Sequence, residues 1–202
     1  MLRVETLARR IRARLHDLDG ITYDDEEILD CINCGIRFIR RIIASMRPSL
    51  LMSETEGTLA AGENKITLEN RPTKIINVIV GNKALEETEL AFAIHKPSET
   101  TENPKEFYLT GTQTINFYPP PTEPTKYLIR TVDDIEELTW EDKSPLLTEF
   151  DDFLIEYAAI RLSVGNEYDM TQESQLMANI VAQIQQILIP PPVGIITKGY
   201  WR

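Results

Sequence analysis

The hydrophobic rhythm of the chain changes twice, and that change constrains the fold more than any single motif. Near both ends, apolar residues recur every three to four positions, the spacing of amphipathic helices. From Gly57 to about Val132 short apolar runs alternate instead with Gly, Pro and Asn, the mark of strands and turns. Two helical segments therefore flank a β-rich middle in a chain of 202 residues. That length suffices for one or two domains with a real core. The expected class is α+β: a helical bundle of about four helices, an inserted small antiparallel β-domain and an extended C-terminal tail. The expected boundaries are 1–48 for the N-terminal helices, 49–138 for the β-domain, 139–189 for the C-terminal helices and 190–202 for the arm.

Val4, Leu7, Ala8, Ile11, Leu15 and Leu18 share one helical stripe, with Arg9, Arg10, Arg12 and Arg14 on the other face. Asp19-Gly20 should end that helix. Thr22 or Asp24 should cap the next, whose first turn holds Asp25, Glu26 and Glu27. Its stripe runs through Ile28, Ile32, Gly35, Ile36, Ile39, Ile43 and Met46 and stops before Pro48. In the middle, ENKITL and KIINVIV read as strands. Gly81-Asn82 reads as a hairpin turn that returns KALEE beside KIINVIV. EFYLT, Gly111 and TQTINFY form a second hairpin, and TKYLIRTV a further strand after PPPTEP. Beyond Pro145, one stripe holds Phe150, Phe153, Leu154, Tyr157, Ala158 and Leu162; another holds Leu176, Ile180, Ile184, Ile187 and Leu188. Three prolines then open the arm IPPPVGIITKGYWR and favour an extended strut.

The net charge is -11 and uneven: residues 1–48 carry nine Lys/Arg against eight Asp/Glu, and residues 49–149 nine against eighteen. A reader of duplex DNA needs a basic footprint, which an acidic middle does not give. Solubility is the simpler meaning of the charge; a surface that must not hold nucleic acid is the functional one. No apolar run approaches the ~20 residues of a membrane span. The N-terminal twenty residues mix basic, acidic and apolar types without the apolar core of a signal peptide, which suggests a cytosol-like compartment.

Chemistry is sparse. Phosphate-loop, nucleophile-elbow and H-E-x-x-H patterns do not occur. His16 and His95 lie far apart and read as structural or surface residues. Asp133, Asp134, Glu136 and Glu137 read as an acidic linker, and Trp140 as a plug between the β-domain and the third helix. The one suggestive stretch is CINC, with Cys31 and Cys34, the only cysteines. A zinc site would need two more well-spaced ligands, and a redox pair would sit at a helix start among basic neighbours. CINC instead lies inside a helix, after an acidic run. At about 100° per residue, Cys31 falls at the edge of the buried stripe and Cys34 towards the polar side. Cys31 should be mostly buried and Cys34 less so, with no metal, no cofactor and no disulfide.

The order of parts, together with DDEEILDCINCGIRFIRRII, NRPTKIINVIVGNKALEE, EFYLTGTQTINFYPPPTEPTKYLIRTV and LLTEFDDFLIEYAAIRLSV, resembles the head-to-tail connector, or adaptor, proteins of tailed bacteriophages. That resemblance implies a non-enzymatic structural virion protein. It implies dodecameric rings beneath the portal, in the neck of the virion, assembled in the host cytoplasm. The portal protein, neighbouring subunits and the next tail or nozzle component would be its partners, and DNA would pass through without specific binding. In position and character, Pro190, Pro191, Pro192, Ile195, Ile196, Tyr200, Trp201 and Arg202 match the segment that reaches onto the portal or a neighbouring subunit. Aromatic and arginine side chains are favoured interface anchors, and prolines lower the entropy lost on docking. The alternative reading is a cytosolic acidic α+β module that binds a protein or peptide. A redox or metal enzyme built on the cysteine pair is a third.

Overall fold

The structure, a computed structural model, describes residues 1–89, 103–167 and 170–189. Its α+β class agrees with the sequence reading: four described helices and two four-stranded sheets. The chain divides into two compact units, residues 1–47 with 137–202, and residues 48–136.

In the first unit, α1 spans Val4–Arg14, α2 Asp25–Met46, α3 Asp151–Glu167 and α4 Met170–Leu188. Helix α3 is packed by the other three, and its sequence shows why. Leu154, Ile155, Ala158, Ala159, Ile160 and Leu162 are all buried, so its apolar residues surround the axis rather than forming one stripe. In α2 the expected stripe is the buried one, Ile28 to Ile43, with Met46 emerging at its end. Gly35 explains itself here. A Cβ at that position would lie 2.5 Å from Leu154 Cδ1 and 2.8 Å from Tyr157 Cδ1. Only glycine lets α2 come this close to α3, which offsets its poor helix propensity.

Helix α1 stops earlier than its stripe suggests. It ends at Arg14, and His16 takes a positive φ of 57°. Leu15 is half-buried, Leu18 is 66% exposed and Ile21 86% exposed. Asp17, not Leu18, is the buried residue of this connection. Its carboxylate accepts from the N–H groups of Ile21, Thr22 and Tyr23 at 2.9, 3.0 and 3.2 Å, and from Arg12 Nη1 at 2.9 Å. Arg12 also donates to the Tyr23 carbonyl and to Asp25. Of the two cap candidates, Asp24 serves. It accepts from the Glu27 N–H while Glu27 accepts from the Asp24 N–H, a reciprocal capping box.

In the second unit, one sheet has the order β1-β8-β3-β4 and the other β2-β7-β6-β5. The strands are β1 Met52–Leu59, β2 Lys65–Thr67, β3 Pro72–Val80, β4 Lys83–Ala84, β5 Glu86–Glu87, β6 Glu106–Thr110, β7 Thr114–Tyr118 and β8 Thr125–Asp133. Both expected hairpins are present. Gly81 has φ 60° at the first position of the two-residue turn between β3 and β4, as a II′ turn requires. Gly111, with φ 68°, opens the β6–β7 turn. KALEE, however, splits. Lys83 and Ala84 return beside β3, whereas Glu86 and Glu87 cross to the other sheet and pair with β6 in parallel. Strand β1 is an addition to the sequence reading. Leu59, Val78, Val80, Phe107, Ile115, Phe117 and Ile129 form most of a single apolar core. Gly57 lies opposite Tyr127, and a Cβ there would fall 2.4 Å from the tyrosine oxygen.

Candidate functional site

The cysteine pair is the one hint of chemistry in the sequence. Helix α2 sets the two thiols one turn apart, and both are free. Cys31 is half-buried rather than mostly buried, and Cys34 is exposed. Burial, and then the neighbouring Cys34, push the Cys31 thiol up to about 11, against the pull of Arg161. A thiol held that high is a poor nucleophile at neutral pH. Cys34 Sγ accepts from Arg37 Nη2 at 3.5 Å, while the same guanidinium pairs with Glu137 at 2.8 Å. Near the pair, Phe38 and Tyr157 stack with ring centroids 5.0 Å apart. CINC is thus part of the seam between α2 and α3.

The other candidates disperse in the same way. His16 is exposed in the α1–α2 connection, and His95 lies outside the described residues. The acidic run is not one linker. Asp133 ends β8, where it accepts from Ser53 Oγ and Thr131 Oγ1, each at 2.6 Å. Glu137 belongs to the helical unit through Arg37. Two hydroxyls bound to one carboxylate tie β1 to β8; among the described residues no histidine stands beside them to activate either oxygen. Trp140 lines a shallow, open cleft of the helical unit, with Ala8, Arg9, Arg12, Leu18 and Asp25. Among the described residues, no group of three or more His, Cys, Asp or Glu side chains is placed to hold a metal ion. No described helix is long and apolar enough to cross a membrane.

Two carboxyls stand in unlike environments. The Thr22 N–H above all, with those of Tyr23 and Ile21, holds the Asp17 carboxyl below the usual carboxylate range, against the effect of burial. Asp151, in the first turn of α3, is pushed up, mainly by burial and further by Asp152; the N-terminal ammonium and Arg10 pull the other way. Among the described residues, neither Asp151 oxygen completes a hydrogen bond, although the Leu2 N–H slightly favours the anion. Acid–base catalysis needs such contrasts in one cleft. Asp17 sits in the α1–α2 connection and Asp151 in the first turn of α3, each in its own setting.

What remains is surface. Pro190, Pro191, Pro192, Ile195, Ile196, Tyr200, Trp201 and Arg202 lie outside the described residues. Two other surfaces went unread in the sequence. One is α4, whose exposed positions between Ser174 and Ile189 hold no charged side chain, in a chain that is 26% charged. Leu176 and Ile187, read as stripe residues, are exposed there, while Ile180, Ile184 and Leu188 are buried. Depletion of charge is the compositional signal of an interface core. A plain scan for charged residues would have found it. The other is β1, among the described residues the only edge strand of eight residues, which pairs along its whole length with β8 on one side.

The described residues form packed helices and two small sheets with shallow clefts. No curated protein matches the chain. The family model described as SU10 adaptor protein matches residues 3–189, and so takes in both units. The chain belongs to the SU10 adaptor protein family, a family of bacteriophage head-to-tail adaptors.

Proposed function

We propose that this chain is a head-to-tail adaptor that forms a homo-oligomeric ring beneath the portal, extends the DNA channel and docks the next tail component. Family membership carries the coarse part: a structural component of the phage virion that associates with other virion components. The finer reading is supported by the molecule's surfaces. The uncharged face of α4 is the type of surface that another protein covers. The acidic excess of residues 49–149 suits a passage through which DNA slides, because fixed negative charge repels phosphates. In this reading the protein works in the neck of the virion after assembly in the host cytoplasm. It carries out no catalytic step and takes no cofactor, and DNA meets it without specific binding. The arm, Pro190 to Arg202, contacts the portal or a neighbouring subunit.

Native mass spectrometry of the chain, alone and with the portal of the same virus, tests this. The expected result is a closed ring of many copies bound to portal. A lasting monomer that ignores portal would sink the ring reading and leave an acidic protein-binding module in its place. Deleting residues 190–202 is expected to leave the circular dichroism spectrum unchanged and to weaken portal or ring association. An unchanged association removes the arm from the interface.

A further inference from the structure

Sheet edges are dangerous, and proteins usually blunt them by keeping edge strands short or by placing Lys, Pro or bulges in them. Three edges of this unit follow that rule: β2 has three residues, and β4 and β5 have two each. Strand β1 does not. It has eight residues, a continuous register with β8 from Met52↔Val132 to Leu59↔Thr125, and neither Pro nor Lys. Among the described residues, no strand pairs with its outer edge.

The side chains of β1 say which strand would fit. Successive residues point to opposite faces, so Met52, Glu54, Glu56 and Thr58 share one face, and all four are exposed. Arg130 already holds Glu54 at 2.7 Å from β8. A second β1 is a poor partner: antiparallel pairing about Thr55 sets Glu54 opposite Glu56 twice, and like charges directly opposite destabilise a pair. The edge calls for a strand with cations on alternate positions of one face.

The chain contains such a segment. Residues 195–202 read IITKGYWR: eight residues, no acid, and five of the types that favour strands. Lys198 and Arg202 fall on the same face, with Ile196 and Tyr200. In the antiparallel register that sets Lys198 opposite Glu56, the two segments match along their full length. Ile195 then stands opposite Leu59, a core residue, and Arg202 lies diagonal to Glu54.

We propose that residues 195–202 of a neighbouring copy add to the open edge of β1 as a further antiparallel strand, with Lys198 facing Glu56. Backbone hydrogen bonds supply the affinity and the alternate charges set the register, the mode of strand addition. Three prolines in the sequence before this segment favour an extended spacer. This inference rests on the ring reading, since the ring provides the neighbour.

Cysteine cross-linking of assembled rings tests it, in a Cys31→Ser, Cys34→Ser background. Thr55→Cys in one subunit and Gly199→Cys in another are expected to give an oxidised two-chain species on mixing. Tyr200→Cys, one residue off and on the opposite face, is expected to give at least tenfold less. Glu56→Lys is expected to weaken ring formation at least tenfold, with recovery on adding Lys198→Glu. Rings without the mixed cross-link, or equal yields from Gly199→Cys and Tyr200→Cys, would overturn the proposal and leave the ring standing. If no ring forms, the adaptor reading fails first and the docked strand with it.

Discussion

The helical unit and the β unit each place a glycine where two elements approach too closely for a side chain, and the surroundings differ. Gly35 lies between α2 and α3, pressed by Leu154 Cδ1 and by the near side of the Tyr157 ring. Both neighbours are held in turn by a helix that is packed by the three others. Gly57 lies on the edge strand β1, beneath the far end of Tyr127. That ring is half-buried and can swing towards water. Close packing is intolerant where neighbours cannot move, and forgiving at an edge. One unit is closed around a central helix, whereas the other ends in a strand with no described strand on its outer edge.

Substituting both glycines tests that difference directly. For Gly35→Ala, overpacking of about 3 kcal/mol outweighs the roughly 1 kcal/mol gained in helix propensity, a net loss of about 2 kcal/mol. For Gly57→Ala, the tyrosine moves and the strand loses less backbone entropy, so the loss stays below about 1 kcal/mol. Urea midpoints at unchanged slope measure both. A Gly57→Ala loss equal to that of Gly35→Ala would break the comparison.

The connection between α1 and α2 extends the contrast to electrostatics. Its order rests on one carboxylate that serves three N–H groups and Arg12. The folded state holds Asp17 below its ordinary value of 3.8, so its contribution is complete above that pH and is lost as pH falls through the lowered folded-state value. Asp17→Asn is therefore expected to be less stable than the parent at neutral pH, with the gap closing in acid. A gap independent of pH would assign the role to shape rather than charge. Asp151 works the other way and more weakly. Its folded-state value is raised, so ionisation destabilises the fold above that value and costs nothing below 3.8. At neutral pH, Asp151→Asn is expected to gain less than about 1 kcal/mol, since an anion in the first turn of a helix is itself favourable. The gain should vanish on acidification, and a net loss at neutral pH would show the helix dipole winning.

Much of this architecture was legible because burial on one face leaves a period behind. The α2 stripe and both hairpins, with their turn glycines, stand in the structure where the spacing set them. Strand β1 was invisible for the converse reason: one face of MSETEGTL is solvated throughout and Gly57 interrupts the other, so no alternation of apolar residues survives. The end of α1 was misplaced because Leu15 and Leu18 continue the helical spacing. His16 turns the chain before they can use it, and a buried aspartate replaces the expected leucine. KALEE could not be divided from sequence, since the crossing between sheets depends on pairing with β6, twenty residues away in the chain. The cysteines were placed on the right side of α2, but the depth of Cys31 depends on its neighbours across the seam rather than on phase alone. Surfaces that matter for assembly leave the faintest trace, because absence of charge has no period.

The helical unit is closed inside but not everywhere outside. The exposed face of α1 is dominated by Glu5, Arg9, Arg10 and Arg14, and Arg10 and Arg14 pair with Asp152 and Glu156 of α3. The outer face of α4 presents Leu176, 46% exposed, and Ile187 in line with it three turns later, among alanine, asparagine and glutamine. A helix face meant for water gains from charge, and this one has none over sixteen residues, from Ser174 to Ile189. Leu176→Asp adds a charge at a largely open position of the single chain, 46% exposed, so its stability should shift by less than about 1 kcal/mol. Self-association, followed by sedimentation velocity, should fall several-fold, because an unpaired carboxylate would be covered in the interface. If the variant assembles as the parent does, α4 is a solvated helix with unusual composition, and β1 is left as the open surface of the molecule. If it assembles poorly while remaining folded, each unit contributes one surface: a flat uncharged helix from the first, and an unpaired strand edge from the second.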